Sequence, residues 1–430
     1  MQTETAPWPL SARLDAEGLT VGGVRASDLA EEFGTPLVVV DESHVRERCR
    51  EFGDAFPRVL WAVKAFPLRA LMRFALDEGL DLLAATGGEV DACLRAGAPG
   101  ERIVFHGSNK SDAEIAEAVR AGIGLLILDN GEEVERVADA ARAAGRRQPV
   151  LLRIAPGIDV DTHVYVKTAA PDTKFGTPVA GGLAMAALRA AVEADDLEVR
   201  GIHLHLGSQL LDAAPYRAGL GAALELLVEA KGELGFEATV LDIGGGMGVR
   251  YTDEEALGVA ELAADILAEL EAGCRERGLT VPELLVEPGR AIVSGSAITL
   301  YRVGSIKEVP GIRTFVAVDG GMSDNIRPAL YGARYTIALA SRSSETAERA
   351  VTIVGRHCES GDELARDVGL PGDVRRGDLL AFASTGAYEY SMSSNYNRVG
   401  RPAVVVVTDG RVRPIARRET YEDLARLELD

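Results

Sequence analysis

Short apolar runs alternate with longer amphipathic segments from about residue 36 to about residue 290. The runs are almost continuously apolar, which is typical of parallel strands buried on both faces. They predict strands at 37–40, 59–64, 82–85, 103–105, 125–128, 150–154, 201–206, 240–243 and 284–286. The segments between them are rich in Ala, Leu, Glu and Arg at helical spacing. Eight or nine strand–helix units predict an α/β fold built on a TIM-like (β/α)8 barrel, with an open doubly wound sheet as the alternative.

The pattern changes after about residue 293. The segments AITLYRVGSI, TFVAVDGG, RAVTIVGRH, DLLAFASTG and AVVVVTDGRVRPI read as strands without long helices between them. The chain of 430 residues is also too long for one ordinary hydrophobic core. We therefore predict a barrel domain at 36–292 and a β-rich domain at 293–430. Residues 1–35, which contain the hairpin-like segment GLTVGGVRAS, are expected to pack on the second domain.

The net charge and the cysteine and histidine content disfavour several classes of partner and binding site. The net charge of −20, from 46 basic and 66 acidic residues, disfavours nucleic acid and anionic membranes as partners. No apolar run is long enough to cross a membrane, and the first residues lack the pattern of a secretory signal. The four cysteines show no paired spacing and the six histidines no metal-ligand spacing. These features predict reduced thiols, no metal site and a cytoplasmic location.

Candidate chemical groups stand at the ends of predicted strands. Lys64, His106, His205, the Gly244–Gly246 run and Glu287 with Arg290 all lie at or just after a strand end. In a parallel barrel those ends share one face, and active sites are built there. Five such positions in one barrel predict a single site.

Each group has a functional and a purely structural interpretation. Lys64 is either a surface lysine or a Schiff-base lysine, because a charged lysine is costly to bury. The glycines after a strand favour either phosphate binding or a tight turn, and no Walker or dinucleotide motif accompanies them.

Glu287 and Arg290 are either a surface ion pair or partners of a ring nitrogen and an anion. His203 and His205 would share one face of a strand, either as core residues or beside a flat cofactor, and Ser208 could donate to a phosphate.

Several motifs together resemble the fold-type-III pyridoxal-phosphate (PLP) decarboxylases, and among them the diaminopimelate decarboxylases. These motifs, in order, are LWAVKAFP, FHGSNKS, DTKFG, GIHLHLGSQL, LDIGGGMG, VEPGR, DGGMSDNIRPALYGA, HCESGD and STGAYEYSMSSNYN. They extend from about residue 36 to about residue 403, through both predicted domains. The resemblance implies an alanine-racemase-like, group IV decarboxylase fold, with PLP as cofactor and no metal.

The resemblance also implies residue roles. Lys64 would hold the cofactor, His205 would stack on its ring and Glu287 would pair with its ring nitrogen. The implied phosphate ligands are Ser208, Gly244, Gly245, Gly246, Pro288, Gly289, Arg290 and Tyr388. The implied substrate ligands are Arg290, Arg327, Tyr331, Glu359 and Tyr388. Cys358 and Glu359 would come from a partner subunit, which implies a homodimer with shared active sites.

The substrate positions also make physical sense from the sequence. Arg327 and Tyr331 are four residues apart, and Pro328 is suited to open a helix. This arrangement would place Arg327 at the positive end of that helix, with Tyr331 on the same face, as a clamp for a carboxylate. Glu359 would offer a counter-charge to a distal ammonium group.

By resemblance, the expected reaction is decarboxylation of meso-2,6-diaminopimelate to L-lysine and CO2, the last step of lysine biosynthesis. Either Cys358 or Lys64 would return the proton. The alternatives are a decarboxylase for another amino acid, such as carboxynorspermidine, D-ornithine or D-lysine, a racemase, and an inactive PLP-binding regulator. Glu287 argues against a racemase, which places an arginine at the ring nitrogen. Retention of Lys64, Cys358 and Glu359 argues against the inactive regulator.

Overall fold

The structure, a computed structural model, describes residues 7–158 and 173–429, so Asp172 of the DTKFG motif lies outside the described residues. The chain divides into two compact units. The barrel unit comprises Arg48–Gly248 and Glu255–Gly289, and the β-rich unit comprises Met1–Glu47, Val249–Glu254 and Arg290–Asp430.

The barrel unit is a closed ring of eight parallel strands with one short extra strand. The strands are β5 (Arg58–Ala62), β6 (Asp81–Ala84), β7 (Ile103–Phe105), β8 (Leu125–Leu128), β9 (Gln148–Ala155), β10 (Thr177–Pro178), β11 (Leu197–His203), β12 (Val240–Asp242) and β13 (Glu283–Val286). Neighbours pair in the order β5–β6–β7–β8–β9–β11–β12–β13, and β13 pairs with β5 to close the ring. The short β10 pairs only with β9 among the described strands. This architecture confirms the predicted barrel.

Helices follow the barrel strands, as in other (β/α)8 folds. They are α3 (Arg69–Asp77), α4 (Gly87–Ala96), α5 (Asp112–Arg120), α6 (Glu132–Ala143), α7 (Leu183–Glu193), α8 (Ala214–Leu234) and α9 (Val259–Arg277). Two side chains cap the N-terminus of α5. The Ser111 hydroxyl accepts from the Glu114 amide, and the Glu114 side chain accepts from the Ser111 amide. Leu60, Val104, Leu151 and Leu285 belong to one buried cluster contributed by the barrel strands.

The β-rich unit contains two sheets. A small antiparallel sheet is formed by β1 (Arg13–Asp15), β2 (Gly18–Val21) and β3 (Val24–Arg25). The larger sheet system contains β4 (Leu37–Asp41), β14 (Ala297–Val309), β15 (Arg313–Val318), β16 (Ile337–Leu339), β17 (Glu348–Val354), β18 (Glu363–Pro371), β19 (Leu379–Ala383), β20 (Ala403–Thr408) and β21 (Arg411–Ala416). Its helices are α1 (Ala26–Phe33), α10 (Arg290–Val293), α11 (Arg327–Tyr331) and α12 (Tyr421–Ala425), and α2 (Glu42–Ala55) spans the division between the units. The C-terminal runs predicted as strands are therefore strands.

One strand prediction was wrong. The run 37–40 was expected to begin the barrel, but β4 lies in the large sheet of the β-rich unit, antiparallel to β14 and parallel to β20. Every residue of β4 is buried, as in a barrel strand. An apolar run therefore identifies a covered strand but does not say which sheet contains it.

Among the described residues, no helix is both long and apolar enough to cross a membrane.

Candidate active site

Polar side chains gather at the carboxyl ends of the barrel strands. Lys64 follows β5, His106 follows β7, Asp129 follows β8 and Glu287 follows β13. The last residues of β11 and β12 are themselves polar, namely His203 and Asp242, and Arg153 lies near the end of β9. Because parallel strands in a closed barrel end on one face, the fold brings these side chains to one site.

Lys64 lies in a single 3-10 turn, Val63–Ala65, directly after β5. Its side chain is exposed, although Val63 and Ala65 on either side are buried. Its positive charge lowers the pKa values of Glu287 and His205. The turn thus presents an accessible amine within electrostatic reach of the strand-end groups.

Two buried carboxyl groups and a buried histidine form the centre of the barrel site. His203 donates through Nε2 to Glu287 Oε1 at 3.1 Å. One ligand-type atom each of His203, Asp242 and Glu287 lies within 4.8 Å of the others. Burial raises the pKa of Asp242 to about 8, and the charge of Glu287 adds to this shift. Burial also raises the pKa of Glu287 to about 7, while the charges of Lys64 and Arg153 oppose it.

This trio is suited to a cationic ring nitrogen. Burial lowers the pKa of His203 to about 4, so its ring is neutral at physiological pH. Burial raises the pKa of both Asp242 and Glu287, so the pair retains a proton more readily than exposed carboxyl groups would. An incoming positive charge would favour ionisation of the pair.

The glycine turn after β12 is shaped by close backbone contacts. A Cβ on Gly244 would lie 2.6 Å from the Leu204 carbonyl oxygen, and one on Gly246 would lie 2.3 Å from that of Gly207. Gly244 (φ +73°) and Gly246 (φ +97°) also adopt backbone conformations that favour glycine. Glycine is therefore required at both positions, whatever they bind.

The amides of the glycine turn are not equivalent. The Gly244 N–H donates to Asp242 Oδ1 at 2.8 Å, and the Gly245 N–H donates to His205 Nδ1 at 3.1 Å. The Gly246 N–H has no acceptor among the described residues. A phosphate at this turn would therefore use the Gly246 amide, while Gly245 fixes the tautomer of His205. Burial lowers the pKa of His205 well below its usual value, which keeps the ring neutral.

A second buried network lies across the ends of β7 to β9. Arg153 Nη1 donates to His106 Nε2 at 3.0 Å and to Asp129 Oδ1 at 3.3 Å. Behind it, Lys110 Nζ contacts Glu133 Oε2 at 2.7 Å, and both side chains are about 1% exposed. Burial lowers the pKa of His106 well below its usual value. The network holds a guanidinium near the carboxyl pair and keeps the surrounding imidazoles uncharged.

The β-rich unit contains a separate cationic cluster. Arg290 Nη1 and Arg327 Nη1 both donate to the Tyr251 phenol oxygen, at 2.5 and 2.9 Å. Arg327 is 6% exposed and also donates to the Tyr335 hydroxyl at 3.0 Å. Its Nε is buried without a hydrogen-bond partner among the described residues. Two guanidinium groups with an unused buried donor are suited to bind a carboxylate.

Tyr388 and Glu389 flank this cluster in the β-rich unit. The guanidinium of Arg290 lies 5.0 Å from the centre of the Tyr388 ring. Tyr388 has φ +63°, which is an outlier for a bulky residue and is common at functional sites. Burial raises the pKa of Glu389 well above its usual value, although the charge of Arg327 opposes the shift. Burial thus works against a negative charge on Glu389 beside the guanidinium of Arg327.

The HCESGD segment is an anchored loop with exposed tips. Asp362 accepts from the amides of Met322 and His357 at 2.6 and 2.8 Å. His357 is buried and its Nε2 contacts Ser323 Oγ at 2.9 Å. Between these anchors, Cys358 and Glu359 are exposed. The loop therefore presents a thiol and a carboxylate at its surface.

Two geometric expectations from the sequence were wrong. His203 ends β11, whereas His205 lies beyond the strand, so the two do not share a strand face. Arg327 does begin a short helix, but the phenols at its guanidinium are Tyr251 and Tyr335 rather than Tyr331, which is partly buried at the other end of α11.

Several residues of these clusters were not predicted from the sequence, among them Arg153, Asp242 and Tyr251. Arg153 and Asp242 are charged residues in apolar strands, a signal that could have identified them. For Tyr251 the sequence offered no such signal.

The barrel residues fit PLP. A flat pyridinium ring needs a carboxylate at its nitrogen, a lysine at its aldehyde and backbone donors for its phosphate. Glu287, Lys64 and the unpaired Gly246 amide belong to one unit and offer these groups. Side chains on the glycines would close the space at the turn, because even a Cβ at Gly244 would approach His205 Nδ1 to 2.7 Å.

Comparison with known proteins identifies the family. The family described as "Pyridoxal-dependent decarboxylase, pyridoxal binding domain" matches residues 42–294. The chain is similar to the diaminopimelate decarboxylases of Corynebacterium efficiens (46% identical, covering 98% of this chain and 94% of the relative) and Mycobacterium leprae (45%, 98% and 92%). It is also similar to the crystal structure of diaminopimelate decarboxylase from M. jannaschii in complex with L-lysine, with a TM-score of 0.92 at 32% identity over 98% of both chains. Both the family model and the full-length relatives agree, and the chain belongs to the diaminopimelate decarboxylase family of PLP-dependent enzymes.

Proposed function

We propose that this protein converts meso-2,6-diaminopimelate to L-lysine and CO2. The observation that carries this proposal is the pair Arg290 and Arg327, joined at one phenol in the β-rich unit. Diaminopimelate has an amino group and a carboxylate at each end, so the end that does not react needs a cationic site. A decarboxylase for lysine or ornithine has no such requirement. Family membership over 98% of the chain and the lysine complex of a relative support the assignment.

The barrel residues have distinct tasks in this proposal. PLP, when bound, supplies an electron sink for the carbanion that is left when CO2 departs. Lys64 would hold the cofactor through its amine. Glu287 would hold a proton at the ring nitrogen, and Asp242 and Arg153 would influence the charge of Glu287. The neutral ring of His205 would lie beside the cofactor ring.

In this proposal the phosphate is held by neutral donors. We assign the Gly246 amide, the Ser208 hydroxyl, the backbone of the Pro288–Gly289–Arg290 segment and the Tyr388 hydroxyl to this role. The amides of Gly244 and Gly245 are already used within the turn. These two glycines therefore act by shaping the turn.

At the substrate end, Arg290 and Arg327 bind the distal carboxylate, and Glu359 binds the distal ammonium. Cys358 or Lys64 returns a proton to the carbon that lost CO2. The arrangement selects a substrate by its far end, which lies away from the bond that breaks.

We further propose that the enzyme is a cytoplasmic homodimer in which Cys358 and Glu359 act in the site of the partner subunit. The support is that both side chains are exposed at the tip of an anchored loop. Cys358→Ala and Lys64→Ala should each be nearly inactive alone. After subunit exchange, an equal mixture should recover about a quarter of the wild-type activity, because half the dimers carry one intact site. No recovery after confirmed exchange would show that the site is built within one chain.

A CO2-release assay on the holoenzyme tests the proposed reaction. The substrates are meso-, LL- and DD-diaminopimelate, D- and L-lysine, and ornithine. We expect the highest specificity constant for the meso isomer. A higher value for ornithine or lysine would favour the alternative of a decarboxylase without a distal carboxylate site. Absence of CO2 release from every substrate would overturn the decarboxylase assignment.

A further inference from the structure

Tyr251 occupies an unusual position between two cations. Its oxygen accepts one hydrogen bond from Arg290 and one from Arg327. The side chain is only 6% exposed, and the two guanidinium carbons lie 5.7 and 5.2 Å from the centre of its ring. Tyr335 is a second phenol that accepts from Arg327, at 3.0 Å.

The phenol oxygen offsets the repulsion between the two guanidinium groups. Two like charges close together and away from water repel each other, more strongly than they would in bulk solvent. An acceptor between them compensates by two charge-assisted hydrogen bonds. Although burial alone would raise the pKa of Tyr251, the charges of Arg290 and Arg327 lower it below its usual value. The phenol therefore responds to both cations at once.

The backbone and ring of Tyr251 are also fixed from several sides. Its carbonyl oxygen accepts from the Thr336 amide at 3.2 Å and from the Thr336 hydroxyl at 2.9 Å. Its amide donates to Glu254 Oε2 at 2.9 Å. Its ring meets the ring of Tyr335 edge-on, with centroids 5.5 Å apart. A phenol held in this way sets where the two guanidinium groups can lie.

Arg327 still has an unused donor. Its Nη1 serves both Tyr251 and Tyr335, whereas its buried Nε has no acceptor among the described residues. A buried guanidinium N–H without an acceptor is costly, and a bound carboxylate would remove that cost. Tyr251 thus contacts both cations and leaves the Nε donor of Arg327 unused.

We propose that Tyr251 is a positioning residue that spaces Arg290 and Arg327 for a second substrate carboxylate and so determines substrate selectivity. The inference rests on the proposed function and adds a residue to it. Tyr251 does not touch the reacting atoms in this account. It acts through the two arginines, by keeping their guanidinium groups at a spacing that one carboxylate can bridge.

The test compares Tyr251→Phe with Tyr301→Phe in the holoenzyme. Tyr301 is a matched control, since it is buried in the same hydrophobic cluster and its hydroxyl donates to Asp324 rather than contacting an arginine. For each protein we would measure the dissociation constants of meso-diaminopimelate and D-lysine from the visible spectrum, and the KM and kcat for meso-diaminopimelate. D-Lysine has the reacting centre but no distal carboxylate.

We expect Tyr251→Phe to weaken meso-diaminopimelate about tenfold and to leave D-lysine unchanged, the size expected for losing one charge-assisted contact. Most of the loss should appear in KM. Tyr301→Phe should leave the ratio of the two dissociation constants as in the wild type. Equal weakening of both ligands by Tyr251→Phe, or the same result for both variants, would overturn the role of Tyr251. Failure of the wild type to release CO2 from meso-diaminopimelate would overturn the proposed function instead.

A second variant covers the case in which Tyr251→Phe does not fold. Thr336→Val removes the hydroxyl that donates to the Tyr251 carbonyl. It should lower the preference for meso-diaminopimelate over D-lysine in the same direction, by about two- to threefold. An unchanged preference in a folded Thr336→Val protein would contradict the positioning role.

Discussion

The buried polar groups at the strand ends of the barrel unit and the buried arginine of the β-rich unit differ in whether burial shifts them toward their neutral forms. In the barrel unit, burial keeps His203 and His205 neutral and raises the pKa values of Asp242 and Glu287 toward neutrality. In the β-rich unit, the guanidinium group of Arg327 remains charged although it is buried.

The two regions therefore meet different chemical requirements. A site that must exchange protons with a cofactor benefits from groups whose pKa values lie near the working pH. A site that must recognise a carboxylate benefits from a charge that does not titrate, which arginine supplies. We therefore attribute the chemistry to the barrel unit and the choice of substrate to the β-rich unit.

Removing the barrel amine should have the largest effect. Lys64→Ala should lower kcat by about 1000-fold or more, because the proposed function makes this residue the attachment point of the cofactor. Borohydride treatment of the yellow wild-type holoenzyme should attach the cofactor to Lys64, as peptide mapping would show.

Lys231→Ala is the matched control for this experiment. Lys231 is partly exposed and pairs with Glu237 at 2.7 Å, so its loss should leave activity and labelling intact. A borohydride adduct on a lysine other than Lys64 would refute the attachment site and with it the division of tasks.

Removing a cation from the β-rich unit should have a smaller and more selective effect. Arg327→Ala should reduce the specificity constant for meso-diaminopimelate by about 10- to 100-fold, as for loss of a charge-assisted contact. D-Lysine, which lacks the distal carboxylate, should be almost indifferent to the change. Specificity constants for two enzymes and two substrates provide the measurement. If both substrates lose equally, Arg327 serves the fold or the cofactor, and the comparison between the regions fails.

The smallest expected effect is on how the free energy of unfolding depends on pH. With a pKa of about 8 in the folded state and about 3.9 when unfolded, Asp242 binds a proton on folding between those values. Its contribution to stability is therefore fully present at low pH and is lost as pH rises toward 8. From pH 6 to pH 7.5, the cofactor-free wild type should lose about 2 kcal/mol more unfolding free energy than Asp242→Asn.

Urea unfolding of the full chain at several pH values measures this difference. The difference reports on the coupled site as a whole, because the charge of Asp242 also acts on His203 and Glu287. Asp409→Asn, at an exposed turn position, should follow the wild-type curve. Parallel curves for the wild type and Asp242→Asn would contradict the elevated pKa of this carboxyl.

Much of the barrel unit could be predicted from sequence because its signals are local. An apolar strand followed by a polar residue marks both a strand end and a candidate site residue, as with Lys64 and Glu287. The same logic failed for β4, because burial on both faces occurs in either sheet. It also failed for His203 and His205, because the strand ends between them and the alternation of faces ends with it.

The arginine cluster in the β-rich unit was harder to predict from the sequence, because its residues are far apart along the chain. Tyr251 and Arg327 are separated by 76 positions, and Tyr251 belongs to a short segment that returns to the β-rich unit from within the barrel sequence. No periodicity links such positions. Resemblance identified the arginines, whereas only the structure placed a phenol between them.

The most direct test of the central claim is the mass of the products formed from meso-diaminopimelate in deuterated water. Decarboxylation replaces a carboxylate by a hydrogen from solvent at the same carbon. We therefore predict L-lysine with one non-exchangeable deuterium and one equivalent of CO2. Deuterated diaminopimelate isomers without lysine or CO2 would contradict the account and indicate a racemase.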